Sequence, residues 1–79
     1  METRVAVVAI LVTDPEAYKR LNEILHTYAE YIIGRMGIPY RAKKINIISV
    51  AVDAPQDVIS ALSGQIGALK GVQTKTAYA

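Results

Sequence analysis

Tyr31-Ile-Ile-Gly-Arg-Met-Gly-Ile-Pro-Tyr-Arg-Ala-Lys-Lys-Ile-Asn-Ile-Ile-Ser-Val-Ala-Val52 is the stretch that decides the fold. It predicts two strands in direct succession, Tyr31 to Ile38 and Ile45 to Val52. Both are rich in β-branched residues, and a polar turn over Arg41 to Lys44 separates them. Pro39 is expected to end the first of the pair, because proline has no N–H to give to a strand ladder.

On the N-terminal side, Val5 to Val12 is an unbroken apolar run, the pattern of a strand buried on both faces. Thr13-Asp14-Pro15-Glu16 then reads as a helix start: Asp14 can cap, Pro15 suits the first helical position, and Glu16 complements the helix dipole. Ala17, Tyr18, Leu21, Ile24, Leu25 and Tyr28 recur at helical spacing as one apolar stripe. Lys19, Asn22, Glu23 and His26 fall on the opposite side.

On the C-terminal side, Asp53-Ala54-Pro55-Gln56-Asp57 repeats the helix-start grammar. Val58, Ile59, Leu62, Ile66 and Leu69 line one face of the second helix, and Gly71 is expected to stop it in a left-handed conformation. Val72 to Tyr78 alternates and reads as an edge strand. The order is β-α-β-β-α-β. We therefore expect an α+β, ferredoxin-like βαββαβ domain over residues 1–79: a four-stranded antiparallel sheet with two helices on one face. Right-handed crossovers put the first and third strands, the most apolar two, in the centre.

Such a sheet has one face without a helix. In the third strand Ile45, Ile47, Ser49 and Ala51 share one side and Ile48, Val50 and Val52 the other, so both sides are apolar. An apolar fraction of 52% is high for 79 residues, and surplus apolar surface usually enters an interface. A homo-oligomer, dimer or tetramer, built by sheet-to-sheet contact is the expectation. Burying roughly 600 Å² per protomer would give on the order of 15 kcal/mol gross, much of it returned as association cost.

Composition excludes several classes. There is no cysteine, hence no disulfide framework and no thiolate metal site. No run is long enough to span a bilayer and the N-terminus has no signal-peptide layout, so a cytoplasmic protein without membrane contact is expected. The net charge is only +2, and the local cluster Arg41, Lys43 and Lys44 could attract a small anion or be a solvated turn. It is thin for direct nucleic-acid binding.

No catalytic constellation can be assigned. Ser49, Ser60 and Ser63 have no Gly-x-Ser-x-Gly elbow, and Asp53 and Asp57 have a structural role at the helix start. His26 is the sole histidine, near the C-terminal end of the first helix. It is either a partly exposed side chain favouring the helix's negative end or a ligand that each protomer gives to a shared site. With one histidine and no cysteine, no metal site is assigned within one chain, and no cofactor is identified.

Glycines carry the subtler signal. Gly34 and Gly37 interrupt a strand, where glycine adds no packing; an edge-strand bulge is one reason and close approach of another molecule a second. Arg35 between them should point to the face opposite Gly34, Met36 and Ile38, where it could stay solvated, stack on a tyrosine or hold an anion. In the second helix Ser60, Ser63, Gly64 and Gly67 project together, at a cost of about 1 kcal/mol per interior glycine. Tyr18 and Tyr28 read as core; Tyr31, Tyr40 and Tyr78 suit either core or interface. The tentative ligand-binding set is His26, Gly34, Arg35, Gly37, Ser63, Gly64 and Gly67.

The segment Leu25 to Arg41, with Ile59-Ser-Ala-Leu-Ser-Gly-Gln-Ile-Gly67 and Gly71-Val-Gln-Thr-Lys75, resembles the family of iron-only hydrogenase system regulators over nearly the whole chain. Members resemble ACT domains and the C-terminal sensing domain of nickel-responsive regulators. That resemblance implies this fold, assembly through sheets and a regulatory role tied to hydrogenase expression or maturation. Three departures stand out. His26 alone replaces the several histidines and the cysteine of nickel sensors, and Gln65 stands where relatives commonly have lysine. The βαββαβ unit uses all 79 residues, leaving none for a ribbon-helix-helix DNA-binding half. The implied function is a non-enzymatic, oligomeric domain that senses a small ligand at a protomer interface. The alternative is a protein–protein interaction module with no small-molecule ligand.

Overall fold

Strand β1 (Arg4–Val12) pairs antiparallel with both β3 (Ile45–Ala54) and β4 (Val72–Tyr78) in the computed structural model, which describes residues 2–79. Strand β2 (Ile32–Tyr40) pairs with β3, so the sheet order is β2-β3-β1-β4. Helices α1 (Tyr18–Thr27) and α2 (Gln56–Gly67) connect the strands in the βαββαβ order. The fold is the ferredoxin-like one that the sequence predicts.

The core lies between the helices and one sheet face. Ala6, Val8, Ile10 and Val12 from β1 and Ile48, Val50, Val52 and Ala54 from β3 are buried there. Leu21, Ile24 and Leu25 of α1 and Ile59, Leu62 and Ile66 of α2 close over them. The period-2 and period-3.6 patterns meet in this one cluster. The stripe's flanking tyrosines, Tyr18 and Tyr28, are half-buried against it, as is Tyr31. Tyr28 also accepts a hydrogen bond from Gln65 Nε2 at 2.8 Å, which ties α2 to α1.

Local chemistry explains most boundaries. Asp14 Oδ1 accepts the Glu16 N–H at 3.0 Å and caps a 3-10 turn over Pro15–Ala17, which leads into α1. Several boundaries differ from the sequence expectation: β2 begins at Ile32, with Tyr31 in a 3-10 turn, and α1 proper begins at Tyr18. Strand β2 runs past Pro39 to Tyr40, with Pro39 opposite Asn46. An edge strand tolerates proline because half its backbone groups face outward and need no ladder donor. Asp53 belongs to β3, opposite Val5, and does not start α2. Pro55 is the cap residue instead: its carbonyl accepts the N–H groups of Val58 and Ile59.

Gly71 is left-handed, at φ 77°, yet α2 already ends at Gly67. Gly71 serves the turn into β4, where its carbonyl accepts both the backbone N–H and the hydroxyl of Thr13. A Cβ at Gly71 would collide with Asp14, so the tie between the two helix-entry and helix-exit turns requires glycine.

The other sheet face carries no helix. Val5, Val7 and Leu11 of β1, Ile47 of β3, and Ile33, Met36, Ile38 and Tyr40 of β2 are all exposed.

Candidate functional site

The two helices cover β2 least. Every residue of β2 after Ile32 is exposed, on the helix side as well as the open side. A bulge between Ile32 and Gly34 resets the alternation, leaving Arg35, Gly37 and Pro39 on the helix side. Arg35 therefore lies on the face opposite Gly34, Met36 and Ile38, as expected; that face is the one toward α1, and the Arg35 Nη2 donates to Asn22 Oδ1 at 3.4 Å.

Asn22 and His26 are one helical turn apart and share the side of α1 that faces β2. Together with Arg35 they rim a groove of about 420 Å³ whose remaining walls are Leu25, Ala29 and Ile32. One edge is polar and cationic, and the floor is apolar. Among the described residues the ion pair that forms is Arg20–Glu23 at 3.6 Å, so the Arg35 guanidinium meets no carboxylate. Its planar fork keeps donors free for a carboxylate or phosphate oxygen, while His26 and Asn22 offer further polar contacts.

The structure brings together two residues of the sequence-based set, His26 and Arg35, which are nine positions apart in different elements. Gly37 lies on the same side of β2, next along the strand, with open space where a Cβ would stand. Gly34 lies at the bulge, likewise unobstructed. Ser63, Gly64 and Gly67 lie elsewhere, on α2, which packs beside β4 at the far edge of the sheet. Ser63 Oγ hydrogen-bonds Thr76 Oγ1 at 2.9 Å, and a Cβ on Gly67 would sit 3.3 Å from Thr74 Cγ2. These two small residues let α2 approach β4 closely; Gly64 is exposed and free of neighbours.

Asn22 is the polar member that the sequence reading did not select. The signal was present in its i, i+4 spacing from His26, but nothing in one helix indicates which strand it will face. Among the described residues no group of three or more His, Cys, Asp or Glu side chains stands together as a metal site.

Two other depressions are shallower in chemistry. One of about 630 Å³ wraps the β4 edge around Ala9, Leu11, Gln73 and Lys75 on the open side and Gly67 and Thr74 on the helix side. It is larger, but Lys75 is its one ionisable group. Another of about 310 Å³ lies between Pro15 and the turn after β2, beside Arg41 and Lys44. We place the candidate site in the α1–β2 groove because three polar side chains converge there.

The fold and groove define a small α+β, ferredoxin-like domain with a ligand-sized cleft beside an edge strand. The chain belongs to the TM1266-like family, described as "Iron-only hydrogenase system regulator, putative", whose profile matches residues 4–76. The solved structure of uncharacterized protein TM1266 from Thermotoga maritima is similar at 37% identity and a TM-score of 0.94, over 98% of each chain. A formyltetrahydrofolate deformylase from Pseudomonas putida KT2440 shares the fold alone. Its TM-score is 0.66 at 13% identity, over 92% of this chain and 28% of that one. Among curated proteins none matches.

Proposed function

We propose that this chain is a non-enzymatic regulatory domain that senses a small anionic ligand in the α1–β2 groove and acts as a homo-oligomer in the cytoplasm. The observation that carries this reading is Arg35, a guanidinium without a carboxylate partner, set beside Asn22 and His26 over an apolar floor. The family description suggests that the response serves an iron-only hydrogenase system. No helix among the described residues is long and apolar enough to cross a membrane.

The groove is open, so it supports reversible binding better than buried chemistry. A charged or strongly polar small molecule would displace the Asn22 contact of Arg35 and rest its apolar part on Ala29 and Ile32. Thermal-shift measurement against carboxylates, amino acids, nucleotides, inorganic phosphate and divalent metals tests this. A ligand at about 100 times its Kd stabilises by about 2.7 kcal/mol, or roughly 10–20 °C in a domain of this size. The shift should vanish in Arg35→Ala and shrink in His26→Ala. A panel without any stabiliser, or a stabiliser indifferent to both substitutions, removes the reading.

The alternative, a protein–protein module without a ligand, draws its support from the open apolar face of the sheet and not from the Ser/Gly side of α2.

A further inference from the structure

The densest positive charge in the chain lies outside the α1–β2 groove, at the turn between β2 and β3. From Tyr31 to Val52 the sequence has Arg35, Arg41, Lys43 and Lys44 and no acid. Arg41–Lys43 form a 3-10 turn that Lys44 caps, and the Lys44 N–H donates to the Arg41 carbonyl at 3.1 Å. Among the described residues the ion pair that forms is Arg20–Glu23, so these three cations face no carboxylate at pairing distance.

Lys44 is held at φ 54° and ψ 41°, in the left-handed region. A Cβ crowds the backbone there, and glycine or asparagine is the easier occupant. Packing gives no reason for a lysine, because the residue is exposed. A turn that only reversed the chain would fold more readily with glycine at this position. Residues kept in costly conformations gather at binding sites, and here the residue kept is a cation.

Arg41 and Lys44 share a destination. Both rim a depression of about 310 Å³, the lower end of the ligand-sized range, whereas Lys43 between them is not among its walls. The walls divide by chemistry. Pro15, Pro39 and Tyr40 supply apolar and aromatic surface, and Tyr40 is 50% exposed. Asn46, opposite Pro39 in the strand register and half-buried, brings an amide that can both donate and accept. Asp14 and Glu16 flank Pro15 in the sequence, and Asp14 Oδ1 accepts the Glu16 N–H. Their charge disfavours a phosphate on the Pro15 wall and directs it to the Arg41–Lys44 rim.

We infer that this depression is a second ligand site and that it takes a mononucleotide, with the base against Tyr40 and the prolines and the phosphates on Arg41 and Lys44. A bare anion would use the two charges and leave the aromatic wall empty. A nucleotide uses both: the arginine fork matches phosphate oxygens, lysine adds a point charge, and any base can stack on a tyrosine. The site is separate from the α1–β2 groove, whose Arg35 and His26 lie near the start of β2 while this depression lies at its end.

The test is isothermal titration calorimetry of the full chain with ATP and with sodium tripolyphosphate, in metal-free buffer at about 50 mM salt, where surface charge is weakly screened. ATP should bind with a Kd of about 10–500 µM, and tripolyphosphate, which has no base, at least about fivefold more weakly. Arg41→Ala and Lys44→Asn should each weaken ATP binding by about tenfold or more. Asparagine tolerates a left-handed φ, so the second variant deletes the charge and keeps the turn; far-UV circular dichroism checks both. Lys44→Arg should retain binding. Tyr40→Leu should bring ATP down to the level of tripolyphosphate, and Tyr40→Phe should not. Arg35→Ala, in the other groove, and Lys75→Gln, on β4, should change nothing. The inference is overturned by absence of ATP binding up to about 5 mM, or by equal affinity for ATP and tripolyphosphate. Equal losses in Lys43→Gln, Arg41→Ala and Lys44→Asn also overturn it, since they would mean attraction by charge alone. Binding that is lost in Arg35→Ala and kept in the turn variants would place the nucleotide in the α1–β2 groove, so the two sites fail separately.

Discussion

The two faces of this sheet are made from the same strands and nearly the same residue types, yet they have opposite fates. On β1, Ile10 is fully buried under the helices while its neighbour Leu11 is 40% exposed. On β3, Ile48 is buried and Ile47 is open. Over β1 and β3 the helix side is finished within one chain. The open side is apolar without being covered. Hydrophobicity alone therefore does not say where the core is; connectivity does, because both crossover helices pack on the same side.

The largest expected effect separates the two faces directly. Ile10→Ala should lower unfolding free energy by about 2–5 kcal/mol, whatever the protein concentration, because it opens a cavity in the helix-covered core. Leu11→Ala removes a side chain of similar size one residue away. It should change monomer stability by less than about 1 kcal/mol, with a further loss that grows with protein concentration where the proposed homo-oligomer buries the open face. Urea denaturation of both variants at two protein concentrations reads this. Equal, concentration-independent losses would mean that the faces do not differ in partner.

The fold was legible because each element carried its own local signal. The patterns in Val5–Val12, Leu21–Leu25, Ile45–Val52 and Ile59–Ile66 agree with one topology, and caps such as Asp14 sit where the pattern changes period. What the sequence hid is tertiary. Pro39 reads as a stop until β2 is known to be an edge strand. Gly71 reads as a helix cap, but its positive φ serves the carbonyl that receives Thr13. In the candidate site, His26 and Arg35 could each be singled out by type. That they line one groove together with Asn22 depends on how α1 lies beside β2 after the turn at Ala29–Tyr31. The Ser63 and Gly67 signal was real as spacing; its reason, close approach to β4, is a packing fact that one helix cannot state.

A second, smaller effect sharpens what belongs to the helix-covered side alone. Gly71→Ala forces a side chain into a left-handed conformation and against Asp14. It should cost about 2–3 kcal/mol, combining roughly 1–2 kcal/mol of backbone strain with the collision. Because the turn lies at the sheet's end and not on its open face, this loss should be the same at every protein concentration. A concentration-dependent loss would place the α2–β4 turn in the oligomer contact.

The smallest effect concerns a buried polar group on the covered side. Tyr18 packs its ring against the core, and its hydroxyl is buried without a hydrogen-bond partner among the described residues. A buried hydroxyl that lacks a partner is a net cost, since the group gave up its bonds to water on folding. Tyr18→Phe keeps the ring and deletes only that oxygen. Stability should stay level or rise by up to about 1 kcal/mol, measured as a higher urea midpoint at unchanged slope. A loss above about 1 kcal/mol would instead show that the hydroxyl is bonded in solution. The covered face would then hold a buried polar contact, and the contrast between a sealed side and an open side would be less complete than the packing of Ile10 and Leu62 makes it.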